Sequence, residues 1–218
     1  MSLAKRYKSV KLRINSDQLI LLAVSKRQAV EKIQKLYALG QRQFGESYVQ
    51  EAISKIEKLS DLDIEWHFIG PIQSNKTKYL ARYFSWVQSV DSNKILTRLN
   101  KQRSSEQGTL NVLLQLKVGG EDSKRGLSES ELLAICAQYQ TFENITIRGL
   151  MSIPAPTQVY SEQLEQFKQC QQVFKKMQRL IPVDTLSMGM SGDLEAAIES
   201  GSTMVRIGTD IFGKRESP

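Results

Sequence analysis

The sequence predicts an α/β fold and, within that class, a closed (β/α)8 barrel. Eight short runs along its 218 residues have the length and the β-branched or aromatic content of buried parallel strands. Helix-period stretches separate these runs, and such alternation implies a parallel sheet. No Gly/Ser-rich or Pro-rich linker divides the chain, and the first run lacks the Gly-rich turn of an open dinucleotide-binding sheet. The length lies near the lower limit for this barrel, so one domain spanning 1–218 is expected.

The chain opens with MSLAKRYKSVKLRINS, in which Lys5, Arg6, Lys8, Lys11 and Arg13 meet no acid and Leu3, Tyr7, Val10 and Ile14 interleave. This segment carries most of the formal charge of +7, because the rest of the chain holds 25 basic and 23 acidic residues. It can be read as a membrane-surface or RNA contact, or as an amphipathic helix covering the domain body. The helix is the expectation. No continuous apolar core of a secretory leader is present, and no apolar run reaches a bilayer's span, so a cytoplasmic location is expected.

The strand-like runs follow in order: LILLAV at 19–24, RQF at 42–44, WHFI at 66–69 and WVQSV at 86–90, then LNVLLQL at 110–116, ITIRGLM at 145–151, DTLSM at 184–188 and TMVRI at 203–207. The second is the weakest. Residues 28–39 set Val30, Ile33, Leu36 and Tyr37 on one helical face, with Gly40 as the stop. Ser47 and Gln50 read as a capping box, as do Ser128 and Glu131, while Ser74 and Asp91 are expected to cap the two helices in the middle of the chain. A long helix over 158–180 places Tyr160, Leu164, Phe167, Cys170, Phe174 and Met177 at spacings of three and four. A short helix at 192–200 closes at Gly201.

Hydrophobic residues at 40% and charged residues at 24% exclude disordered, collagen-like and disulfide-scaffold classes. Cys136 and Cys170 are far apart, with no CxxC and no second histidine, so no metal or thiol-redox site is expected. His67 lies in an apolar run, where a packed and hydrogen-bonded structural role is expected.

In such a barrel, function collects where strands run into the following loops. Along strand one, Ile20, Leu22, Val24 and Lys26 share a face by the two-residue period. A lysine in register with three apolar residues belongs at the barrel mouth, where a desolvated amine can attack a carbonyl. Ser191 is positioned as the N-cap of the 192–200 helix, and Gly208 and Thr209 follow strand eight beside Arg206. Hydroxyl, helix terminus and free N–H groups there make an anion site at this architecture's usual phosphate position. Gly208 to Lys214 also matches the first seven positions of a P-loop, but Arg215 replaces its Ser/Thr and the match is fortuitous.

A strand-one lysine, a phosphate cup and a nearby arginine suggest pyridoxal 5'-phosphate (PLP). The sequence resembles the single-domain pyridoxal phosphate homeostasis proteins, whose fold is similar to the N-terminal barrel of alanine racemase. The resemblance rests on LLAVSK at 21–26, FGESYVQEA at 44–52, WHFIGPIQSNK at 66–76, GGEDSKRG at 119–126 and LSMGMSGDLEAAIESGSTMVRIGTDIFG at 186–213. It implies Lys26 as the Schiff-base lysine, Ser191, Gly208 and Thr209 at the phosphate, and Arg206 at the pyridine nitrogen. Ser47 stands where the family usually has Asn, so the resemblance implies a shorter cofactor contact there. The segment before strand one is also shorter than the family's.

Arginine stays protonated and only donates, so at that place it favours an unprotonated pyridine and weakens the ring as an electron sink. Racemases of this barrel type add a tyrosine from another domain of a partner subunit. This chain is expected to end after strand eight, and none of its seven tyrosines is an evident substitute. The resemblance implies a cytoplasmic, monomeric PLP carrier rather than an enzyme, acting in vitamin B6 homeostasis and, indirectly, amino-acid metabolism. PLP-dependent apoenzymes are its expected partners, without nucleic acid or membrane. The alternatives are a PLP-dependent amino-acid racemase of weak activity and an RNA-contacting protein using the basic N-terminus.

Overall fold

Strands of period two alternating with amphipathic helices close on themselves in the computed structural model, which describes residues 1–16, 18–118 and 125–213. The eight parallel strands are β1 (Ile20–Val24), β2 (Gln43–Glu46), β3 (Glu65–Phe68), β4 (Trp86–Val90), β5 (Leu110–Leu116), β6 (Ile145–Ser152), β7 (Thr185–Ser187) and β8 (Met204–Ile207). Each pairs with its neighbour in sequence, and β1 pairs with β8 to close the barrel. The expected (β/α)8 architecture is therefore present, and the weakest run, before Gly45, is a strand extended to Glu46.

The helices are α1 (Leu3–Ile14), α2 (Val30–Ala38), α3 (Val49–Lys58), α4 (Thr77–Tyr83), α5 (Asn93–Gln102), α6 (Glu129–Ala137), α7 (Tyr160–Gln178), α8 (Leu194–Glu199) and α9 (Thr209–Phe212). No described helix is long and apolar enough to cross a membrane. Alternate strand residues face opposite sides of a sheet. Leu21, Ala23, Val87, Val112 and Leu114 join the large core with residues of the surrounding helices, whereas Trp86, Leu113 and Met151 form a separate small cluster.

The basic N-terminal segment is a helix, as expected. Tyr7, Val10 and Ile14 of α1 are buried. Two of its five cations are spent on the fold: Arg6 donates to the carbonyls of Ile211 and Phe212, and Arg13 pairs with Glu195 and Asp210. Both thiols are free and buried, and burial pushes Cys136 and Cys170 up to about 11.

Several caps differ from expectation. Only Ser128 with Glu131 forms a capping box as predicted. Tyr48 precedes α3 with no side-chain cap bond, so Ser47 does not cap it. Ser74 instead opens a 3-10 turn whose carbonyl accepts from the Thr77 hydroxyl, and Ser92 replaces Asp91 as the cap of α5. In each case the chain takes one to three further residues to leave the strand before it can wind into a helix. Residues 119–124 of the GGEDSKRG match, and Lys214 and Arg215 of the P-loop-like stretch, lie outside the described residues.

Candidate functional site

The C-terminal ends of β1 and β8 and the loop after β7 converge on one cavity of about 240 Å³ at the barrel mouth. Five of the six expected cofactor residues line it: Lys26, Ser191, Arg206, Gly208 and Thr209. Ser47 lines a neighbouring hollow with Tyr48, Phe68 and Lys76. Gly70 packs directly on its backbone, since a Cβ there would lie 2.1 Å from the Ser47 carbonyl oxygen.

Lys26 reaches the cavity by a route the strand period did not foresee. β1 ends at Val24, and Lys26 sits in a turn closed by Gln28 N–H donating to the Ser25 carbonyl at 3.0 Å. Arg27 takes a left-handed φ of 59° in that turn, a conformation that disfavours a side chain with a Cβ. Lys26 is half-buried and lines the cavity beside Val24.

Ser191 is likewise at the cavity but is not a helix cap. Asp193 holds the N-cap position of α8, and its Oδ1 accepts from the Met190 N–H at 2.5 Å, tightening the loop. Burial pushes the Asp193 carboxyl above its usual range. Gly189, in the same loop, has φ 96°, and an added Cβ would meet Ala197 Cβ at 2.4 Å. Among the described residues, the N–H groups of Ser191, Gly192, Gly208 and Thr209 have no backbone acceptor. All four residues line the cavity, so two loops offer it unspent donors, the arrangement of an anion cup.

Arg206 enters from β8, paired in register with Leu22 of β1. Its guanidinium is buried, donating from Nη1 to the Ser187 carbonyl (2.7 Å) and hydroxyl (2.8 Å) and from Nη2 to the Ser152 carbonyl (2.8 Å). Its Nε–H and one Nη2–H find no acceptor among the described residues, leaving two donors for whatever the cavity holds. Burial lowers its pKa to about 10, still far above neutrality.

The Ser187 hydroxyl donates to Gln88 Oε1 at 2.8 Å, and Gln88 Nε2 meets His67 Nδ1 at 2.9 Å. The His67 ring stacks on Trp86 with centroids 5.1 Å apart, and its Nε2 lies 3.8 Å from Glu65 Oε2. Since the Gln88 amide nitrogen only donates, His67 Nδ1 accepts and the ring is neutral with its proton on Nε2. The donors run from Arg206 through Ser187 and Gln88 to His67, whose Nε2 faces Glu65 without a hydrogen-bond partner among the described residues. His67 thus has the packed, hydrogen-bonded role expected of it. Sequence reasoning did not connect Gln88 and Ser187 to Arg206; their signal is a polar residue inside an otherwise apolar strand.

The chain matches the alanine racemase N-terminal domain family over residues 2–216. It is 49% identical to the pyridoxal phosphate homeostasis protein of Vibrio alginolyticus across 97% of this chain and 93% of that one. The chain belongs to the pyridoxal phosphate homeostasis proteins. The protein of that name from Escherichia coli K12 is 47% identical over 92% of this chain and 87% of its own. Among solved structures, PipY of Synechococcus elongatus PCC7942 with PLP bound superposes with a TM-score of 0.90 at 34% identity, covering 97% of this chain and all of that one. Alanine racemase of Clostridium difficile 630, with a TM-score of 0.76 at 15% identity over 57% of its length, shares the fold.

Proposed function

We propose that this protein binds PLP at the barrel mouth, holds it as a Schiff base on Lys26, and buffers or delivers it within the cytoplasm as a single-domain carrier. One observation carries the reading. A single cavity joins a lysine amine, a buried guanidinium with two unspent N–H groups and a cup of unspent backbone N–H groups, and no carboxylate of the described residues lines it. Such a cavity fits a ligand with an aldehyde, a ring acceptor and a phosphate, and a relative of 34% identity is known with PLP bound. When bound, PLP supplies an aldehyde that amines take up reversibly and a ring that draws electron density.

Each residue then has a task. Lys26 supplies the amine, Arg206 donates to the ring nitrogen without giving up its proton, and Ser191, Gly208 and Thr209 hold the phosphate. Val24, Ile69 and Ile153 supply apolar wall. Among the described residues, Lys26 and Arg206 are the only lining side chains that titrate, and no tyrosine lines the cavity. A site with one amine and, among the described residues, no second acid or base suits uptake and release better than turnover of an amino acid.

The test is the absorbance spectrum of the purified protein, followed by borohydride reduction and mass mapping of the adduct. The adduct is expected on Lys26 and absent from Lys26→Ala. Joint replacement of Ser191 and Thr209 by alanine should weaken retention of PLP without unfolding the protein. An adduct that survives Lys26→Ala, or retention indifferent to the phosphate cup, would overturn the assignment.

A further inference from the structure

We propose that Glu51 and Lys55 of α3, with Glu46 of β2, are positioning residues that clamp both flanks of Lys26; this inference rests on the reading of Lys26 as the residue that holds the cofactor. Lys55 is buried, and its three ammonium donors are all engaged, by the Ser25 carbonyl at 2.7 Å, Glu46 Oε1 at 2.8 Å and Glu51 Oε1 at 2.6 Å. The Ser25 hydroxyl donates to the same Glu46 oxygen at 2.6 Å, and the Ser25 N–H donates to the Gly45 carbonyl at 2.9 Å. On the other flank, the Arg27 N–H donates to Glu51 Oε1 at 2.5 Å. The residues before and after Lys26 are therefore both gripped by one ionic cluster carried on β2 and α3.

Two features mark the cluster as more than a stabilising ion pair. It buries a lysine and a glutamate, and Glu46 Oε2 finds no partner among the described residues. Buried ion pairs contribute little stability over an apolar pair of similar volume, so this one is poorly explained by stability alone. Its contacts also fall at a conformation that needs holding. Arg27 has a left-handed φ, and that twist turns the chain away immediately after Lys26. A turn freed from Glu51 would relax, and the Lys26 amine would no longer be presented at a fixed place in the cavity.

Glu51→Ala tests this most cleanly, because Glu51 is the least buried member and alanine suits a helix. The acceptor is lost on both Arg27 and Lys55. Release of PLP from the loaded protein should quicken roughly tenfold, the equivalent of one hydrogen bond to a charged group. Glu51→Gln, which keeps an oxygen acceptor, should restore release to within about twofold. Lys55 keeps Glu46 as its counter-ion when Glu51 is replaced, so the melting temperature of the cofactor-free protein should fall less in either variant than the quickened release implies. A merely structural role would lower stability and retention in parallel. A wild-type release rate in Glu51→Ala, or equal acceleration in Glu51→Ala and Glu51→Gln, overturns the clamp while Lys26→Ala still lacks the adduct. A Lys26→Ala protein that keeps the adduct overturns the lysine assignment, and the clamp with it.

Discussion

Between about pH 7.5 and 5.5, acidification should destabilise this protein through its buried histidine. His67 is the chain's one histidine, it is fully buried, and Nδ1 accepts from Gln88. Burial pushes its pKa below the ordinary value, against the pull of Glu65. In the unfolded chain the ring takes up a proton below about pH 6.5, while the folded chain resists until a lower pH. The unfolded state therefore binds more protons in that interval, and stability falls as pH falls from about 6.5 towards the folded-state value. For a ring that stays neutral when folded, acidification from about pH 7.5 to about 5.5 costs about 1.4 kcal/mol. The assay is urea unfolding across that range for the wild type and His67→Gln, which keeps a hydrogen-bonding side chain but cannot titrate. Burial raises the carboxyls of Glu46 and Asp193, which works in the opposite direction on acidification but equally in both proteins, so the difference isolates His67. Parallel curves for the two proteins would refute the argument that a neutral His67 is built into the row of bonds behind Arg206.

Two further outcomes follow from the way the phosphate cup is held. Arg6→Met should free the last carbonyls of α9, whose first residue is Thr209. The expected cost is about 1.5–3 kcal/mol of stability with weaker PLP retention, read by unfolding and by equilibrium dialysis. Gly189→Ala should cost at least about 1–3 kcal/mol, because the new methyl would meet Ala197 at 2.4 Å and the backbone there has φ 96°. An unfolding midpoint unchanged by Gly189→Ala would contradict that geometry.

How much could be read without coordinates depended on the range of the signal. The Ser128–Glu131 capping box was legible because both partners lie within one helical turn. The caps at Ser47, Ser74 and Asp91 were misread because the turn leaving each strand, rather than the nearest capping residue, decides where the helix starts. Lys26 was found for an incomplete reason: the strand period carried it to the right cavity, although the strand stops at Val24. Glu51 and Lys55 were legible only as an i,i+4 pair on a helix, which ordinarily means a solvated face. The burial of Lys55 and its grip on Ser25 have no local signature.

The sequence by itself determined the alternation of strands and helices, the parallel barrel that follows from it, and the ends of strands on which Lys26, Ser191, Arg206, Gly208 and Thr209 lie. Those features are encoded in hydrophobic period and in small residues at strand ends, which act over a few residues. The tertiary structure alone decided that Ser47 faces a separate hollow, that Arg6 and Arg13 of the basic segment brace α8 and α9, and that His67 is neutral with its proton on Nε2. Closure of the barrel sets these, because it brings Gln88 against Ser187 across 99 residues of chain and so decides which buried polar groups meet.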